Sequence, residues 1–257
     1  IGNTVGELVK EQILEEIIYI KIVCEQADAL GIVLTEEELY DVEEKTKDYM
    51  EKIKGSDLIL YGINEDILRR IYSDNVLARK TFEYVTLNVD TDISNDIAGQ
   101  HRLYSIAIRN YKIDASGLRV PYSEQETEDL RALMQRLHTQ AKETTDFYQM
   151  ANSITEDSSM LELVVGRGDL PEDYEEQVLA LKDGELSDVI ETTDYYYIFY
   201  CVKEFDETAT HEKKEQMIAE RQEQEFKQRY QEWKQQTEIE VNREVWDSIG
   251  FHTDAEG

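Results

Sequence analysis

The chain has 257 residues, a formal net charge of -30, and 57 Asp and Glu against 27 Lys and Arg. Residues 1–98 and 99–206 each carry 22 acidic and 10 basic side chains, and 207–257 carry 13 and 7. The excess is therefore a solvated surface and not a tail, and it excludes nucleic acid or anionic lipid as charge-matched partners.

From the start, Val5, Leu8, Val9, Ile13, Ile17, Ile20, Cys24 and Ala27 recur at three- and four-residue steps. They predict a helix over 4–30, opened by a Thr4–Glu7 capping box and stopped at Gly31. A second box, Thr35 to Glu38, opens a helix to about Lys54, which Gly55 and Ser56 break. Asn64 caps a third helix bearing Ile67, Leu68, Ile71, Leu77 and Phe82. The longest early apolar run, Ile17 to Ile20, is far short of the roughly 20 residues of a membrane span. The chain starts at Ile1 without Met, which suggests a processed or trimmed start, with room for an upstream targeting segment before it.

The pattern then changes. Arg102 to Arg109 alternates and reads as a strand. A polar loop with Gly117 and Pro121 follows, then helices over 123–143 (Leu130, Leu133, Met134 and Leu137 on one face) and Phe147 to Ala151. Leu161 to Val165 is a strand, and Pro171 to Leu181 a helix with Pro in its first turn. Asp188 to Glu191 and Tyr195 to Val202 read as two strands around a turn, an α+β order with an antiparallel finish. Residues 211–236 form a polar helix with a narrow stripe of Ile218, Phe226, Tyr230 and Trp233. Such a helix needs a partner surface, and the N-terminal helices are the expected one.

Cys24 and Cys201 have no metal-type spacing and read as two buried small hydrophobes. His101, His138, His211 and His252 are scattered, so no zinc site is predicted. Glu36 to Glu38 is a capped helix start and not a calcium loop, since no D-x-D-x-D-G pattern accompanies it. The Tyr195–Tyr197 run fits a half-buried strand, and equally an amphipathic aromatic surface for unfolded chains.

Three stretches of the middle segment carry a resemblance: Phe147 to Ala151 with Thr155 to Ser159, Gly166 to Leu170, and Leu181 to Tyr200. They resemble the "F-x-x-L-A … S-x-D-x-S", "G-G-D-L-G" and "L-x-x-G-E-x-S … G-x-H-I-I" blocks of parvulin-type peptidyl-prolyl isomerases. The flanks, including Ala27 to Glu38 and the long last helix, are similar to SurA/PrsA-type extracytoplasmic foldases. The resemblance implies an antiparallel sheet with flanking helices, inserted between end segments that pack as one chaperone domain. The domains are thus 1–98, 99–206 and 207–257. Arg167-Gly168-Asp169 falls in the glycine block and reads as a turn, not as an adhesion signal.

The resemblance also implies a site with an apolar proline pocket and two histidines, an Asp or Cys, and a Ser or Thr, without cofactor or metal. Ser105 and Tyr197 stand at the histidine places, Asp157 at the Asp/Cys place and Thr192 at a threonine of the pattern. The substrate side is expected from Leu170, Tyr174, Asp194 and Tyr195, with the usual Met-bearing loop shortened to Pro171-Glu172-Asp173. The expected function is a foldase for newly exported or unfolded polypeptides, mainly a chaperone with weak or no isomerase activity. Its expected location is outside the cytoplasm, as a Gram-positive lipoprotein attached only by an N-terminal lipid. The alternatives are an active isomerase with a non-histidine site, or a surface lipoprotein with one dedicated partner.

Overall fold

The computed structural model describes residues 5–249; Thr4 of the first capping box and His252 lie outside them. The described residues fall into two compact units, one of residues up to Asp90 together with those from Glu220, the other of Thr91–Ala219.

The first unit is helical. α1 (Val5–Ala29) ends where Gly31 takes the left-handed conformation. α2 (Glu36–Lys52) has the reciprocal Thr35–Glu38 box, with Lys80 also reaching Glu38 at 2.7 Å. The break expected at Gly55 and Ser56 lies at Ile53 and Lys54 instead. Gly55–Tyr61 forms a short helix, α3, which ends at left-handed Gly62. α4 (Glu65–Thr86) starts as predicted, Asn64 accepting from the Ile67 N–H. The unit is completed by the later part of α9 (Glu207–Gln236) and by α10 (Arg243–Ser248). Phe226 is buried with Val23 and Ala78, and its ring meets those of Tyr19, Phe82 and Trp233. Lys234 pairs with Glu15 at 2.8 Å. The stripe read on the polar helix therefore finds its surface on the N-terminal helices, except Ile218, which is outside that cluster. The first half of the α1 stripe is exposed, from Val5 through Ile17.

The second unit opens with a one-turn helix, α5 (Asn95–Ala98), and β1 (His101–Arg109). The expected polar loop is a small hairpin, β2 (Tyr111–Ile113) with β3 (Arg119–Pro121), because Asp114 accepts from the Ser116 and Leu118 N–H groups and Gly117 has φ +79°. α6 (Glu124–Glu143) has its own Ser123–Glu126 box. α7 (Phe147–Ile154), β4 (Glu162–Val165), α8 (Glu172–Leu179), β5 (Ile190–Glu191) and β6 (Tyr195–Lys203) complete it. The sheet order is β4-β1-β6-β5, all antiparallel.

Alternation along β1 and β6 sorts side chains to two faces. Ile106, Tyr196 and Ile198 pack under α6 and α7. Leu103, Ala107, Tyr197, Phe199 and Cys201 pack on the other face with Val178 and Leu181. Burying each such side chain stabilises by about 1.5–3 kcal/mol. The unit extends beyond the boundaries read from sequence, 98/99 and 206/207, because Gln100 N–H donates to Thr210 and Asp206 N–H to the Gln100 carbonyl. These bonds fasten α5 and the first turns of α9 to β1. Cys24 is half-buried, not buried, and both cysteines are free thiols held near pKa 11, chiefly by burial.

Candidate functional site

The α8 face of the sheet opens into a groove of about 920 Å³. Its floor is aromatic by arithmetic: Tyr195 and Tyr197 line it and Phe199 lies buried beyond them, each two residues from the next on one strand, so their rings stack in a row. Centroids lie 5.5 Å apart for Tyr195 and Tyr197, and 5.2 Å for Tyr197 and Phe199. Tyr174 from α8 closes on this row, 6.1 Å from Tyr197. Tyr196, between them in sequence, points to the opposite face, where the Glu191 carboxylate held by Arg131 lies near it.

One wall is the turn between β5 and β6. Thr192 holds it: its hydroxyl donates to the Tyr195 carbonyl at 2.8 Å and accepts from the Tyr195 N–H at 2.9 Å. Asn110 ties the turn to the end of β1, its side chain donating to the Thr192 carbonyl and its N–H to the Asp194 carbonyl, both at 2.8 Å. Asp194 pairs with Arg119, whose guanidinium lies 3.8 Å over the Tyr111 ring. The other wall is Pro171, Asp173, Tyr174 and Gln177 of α8, with Met160 also in the lining.

Of the residues expected from sequence, Thr192, Tyr197, Tyr174, Asp194 and Tyr195 line this groove, and Ser105, Asp157 and Leu170 do not. Ser105 is fully buried, and its hydroxyl donates to the Met160 carbonyl. Asp157 caps a 3₁₀ turn over Ser158–Met160, accepting from the Ser159 hydroxyl at 2.7 Å and its N–H at 3.0 Å. Those bonds, with Arg109 beyond them, hold its carboxyl below the usual range, so it stays ionised. Leu170 packs beneath the Tyr174 row. Glycine 168 of the Arg-Gly-Asp tripeptide has φ +85°; Arg167 donates to the Asp96 carbonyl and Asp169 accepts from the Gly166 N–H.

Tyr197 is the polar group that matters most in the groove. It is 8% exposed, and burial, then Tyr174, Tyr195 and Asp194, push its phenol up to about 12. It is a hydrogen-bond donor at any physiological pH and never a base. Neither Ser105 nor Asp157 is placed to relay to it. The arrangement can hold an extended segment against aromatic faces and donate one hydrogen bond to it. Asn110, Met160, Asp173, Gln177 and Glu191 line the groove too, and the sequence reading gave them no role there. Asp173 and Glu191 lay in segments already singled out; Asn110 and Gln177 left no signal.

Residues 117–203 match the family model of the rotamase, or PPIC-type peptidyl-prolyl isomerase, domain. The foldase protein PrsA of Clostridium botulinum strain Langeland is 24% identical over 261 residues, covering 93% of this chain and 75% of the relative. The chain is similar to PrsA foldases, and its residues 117–203 match a parvulin-type isomerase domain. The PrsA of strain Loch Maree is 22% identical with the same coverage. Among solved structures, PrsA of Bacillus cereus is 20% identical with TM-score 0.44, covering 90% of this chain and 84% of that one. PrsA of Streptococcus pneumoniae is 16% identical with TM-score 0.38, covering 96% and 97%. The family match starts at Gly117, after β1, so it leaves out the strand that carries Ser105.

Proposed function

We propose that this PrsA-like foldase works outside the cytoplasm chiefly as a holder of unfolded polypeptide. Its parvulin-type groove binds proline-containing segments and turns them over weakly or not at all. The observation that carries this is the fate of the three polar positions. Ser105 is sealed under the sheet on the Met160 carbonyl, Asp157 is spent on a local cap, and Tyr197 alone reaches the groove. Rotation about an X–Pro amide must overcome roughly 18–20 kcal/mol. A single phenol donor on an aromatic floor supplies binding, and no paired network supports it at the amide. The exposed apolar side chains of the helical unit, among them Ile59, Leu60 and Tyr61 of α3, favour a client-holding role for that unit as well.

The test is exchange NMR on a panel of X–Pro peptides with the whole chain. The expected result is line broadening at Tyr174, Tyr195 and Tyr197 with cis–trans exchange at the uncatalysed rate. Exchange well above that rate, lost in Tyr197→Phe, would establish the alternative, an active isomerase built on a non-histidine site. A chain that neither broadens on any peptide nor suppresses aggregation of unrelated unfolded proteins would instead fit a lipoprotein with one dedicated partner.

A further inference from the structure

The groove has a charge character of its own. Its lining residues include Asp173 and Asp194 and no lysine or arginine; Glu191 also lines it, but its carboxylate lies on the opposite face with Arg131, and Arg109 stands beside Tyr195. Glu191 and Asp194 are already paired, with Arg131 and Arg119. Asp173 is exposed, stands in the first turn of α8, and has no ion-pair partner among the described residues.

A second observation is independent of the acidic groups. Tyr197 is more than nine-tenths buried, yet its hydroxyl has no hydrogen-bond partner among the described residues. The buried polar atoms left without partners are on His101, Tyr196 and Glu204, and the Tyr197 oxygen is not one of them. It is therefore unpartnered because it opens on the groove. A phenol held by burial of its ring with its hydroxyl open to the groove is free to donate to an acceptor on a ligand lying there. The rings of Tyr174 and Tyr195 beside one unpaired carboxylate suit a cation on an apolar stem, since ring faces attract ammonium and guanidinium groups.

We propose that the groove selects polypeptide segments with a lysine or arginine next to the proline. Asp173 takes the cation, the faces of Tyr174 and Tyr195 cover its stem, and the Tyr197 phenol donates to a backbone carbonyl of the segment. This rests on the reading above that the groove holds polypeptide. The net charge of -30 works in the same direction by drawing basic segments toward the chain.

The experiment titrates the whole chain with four acetylated, amidated tetrapeptides, Ala-X-Pro-Phe, where X is Lys, Arg, Leu or Glu. Affinity is followed by NMR shifts at low and at high salt. Lys and Arg peptides are expected to bind about fivefold tighter than the Glu peptide at low salt, with the ratio collapsing at high salt. Asp173→Asn changes the net charge by only one unit and is expected to remove most of that ratio. Tyr197→Phe is expected to weaken all four peptides alike. Equal affinities, or a Glu preference, with shifts still at the groove would overturn charge selection while leaving peptide binding intact. A basic preference untouched by Asp173→Asn and spread over the surface would assign it to bulk charge and overturn the proposal too. Groove resonances that respond to none of the four would take down both readings.

Discussion

At the residue scale, Ser105 and Tyr197 show how the same strand face serves two ends. Strand alternation puts both on the α8 face, yet Ser105 pairs across to Phe199 and Tyr197 to Ala107, so they sit at different depths. Ser105→Ala is expected to cost about 1 kcal/mol, because the buried Met160 carbonyl loses its donor. It should leave peptide affinity at the groove unchanged, which denaturant melts and the same NMR titration would check. A histidine has no room at the fully buried position of Ser105, so Ser105→His should destabilise by about 1–3 kcal/mol without raising the exchange rate. That Ser105 and Tyr197 stand where the resemblance implies histidines comes from the family blocks and not from periodicity or composition. The sealing of the Ser105 hydroxyl and the opening of the Tyr197 hydroxyl on the groove are not legible, since both residues lie on apolar strands and the partner that covers Ser105, the 158–160 turn, is over fifty residues away.

At the element scale, short polar bonds decide what propensity leaves open. The capping box at Thr35 and the N-cap at Asn64 are local and readable; α3 and the β2–β3 hairpin are not. Gly55 reads as a breaker, and Asp114 forms its turn through backbone bonds that no periodicity reports. Two predictions belong here. Gly166→Ala is expected to destabilise markedly, because a Cβ there would lie 2.6 Å from the Gly99 carbonyl and closer still to the Gln100 amide. Asp206 sits 1% exposed between Arg102 at 2.7 Å and the Ala209 N–H of α9. Asp206→Ala loses both an ion pair and a helix cap, about 2 kcal/mol, and Asp206→Asn, which still caps, loses less. Acid sensitivity has a local origin as well. Lys112 and then Ser123 hold the Glu126 carboxyl down at about 2. Its folded pKa is below its unfolded one, so its stabilisation is full above the ordinary carboxylate range and is lost as pH falls toward 2. Melting curves of the parent and Glu126→Gln should therefore converge as the pH approaches 2.

At the scale of the whole molecule, the alternation of polar and apolar segments announced a helical unit interrupted by an α+β one, and the family resemblance added the parvulin-type character of the insert. The exposed early α1 stripe was not legible, because periodicity marks an apolar face without saying what covers it. The core that joins the chain's two ends is thin, so Phe226→Ala is expected to cost about 3 kcal/mol and to melt the helical unit selectively in circular dichroism. That same contact sets an order of events. Val23 and Phe226 are neighbours in the core but are separated by about two hundred residues of chain, whereas β1 and β6 of the insert pair across roughly half that distance, so the contact that closes the helical unit comes later. As the polypeptide emerges from its N-terminus, α1 to α4 must wait without their partner until α9 arrives. A foldase assembled in this way passes through a stage in which it is itself a chain with an uncovered helical face, of the kind its finished form would be asked to shelter.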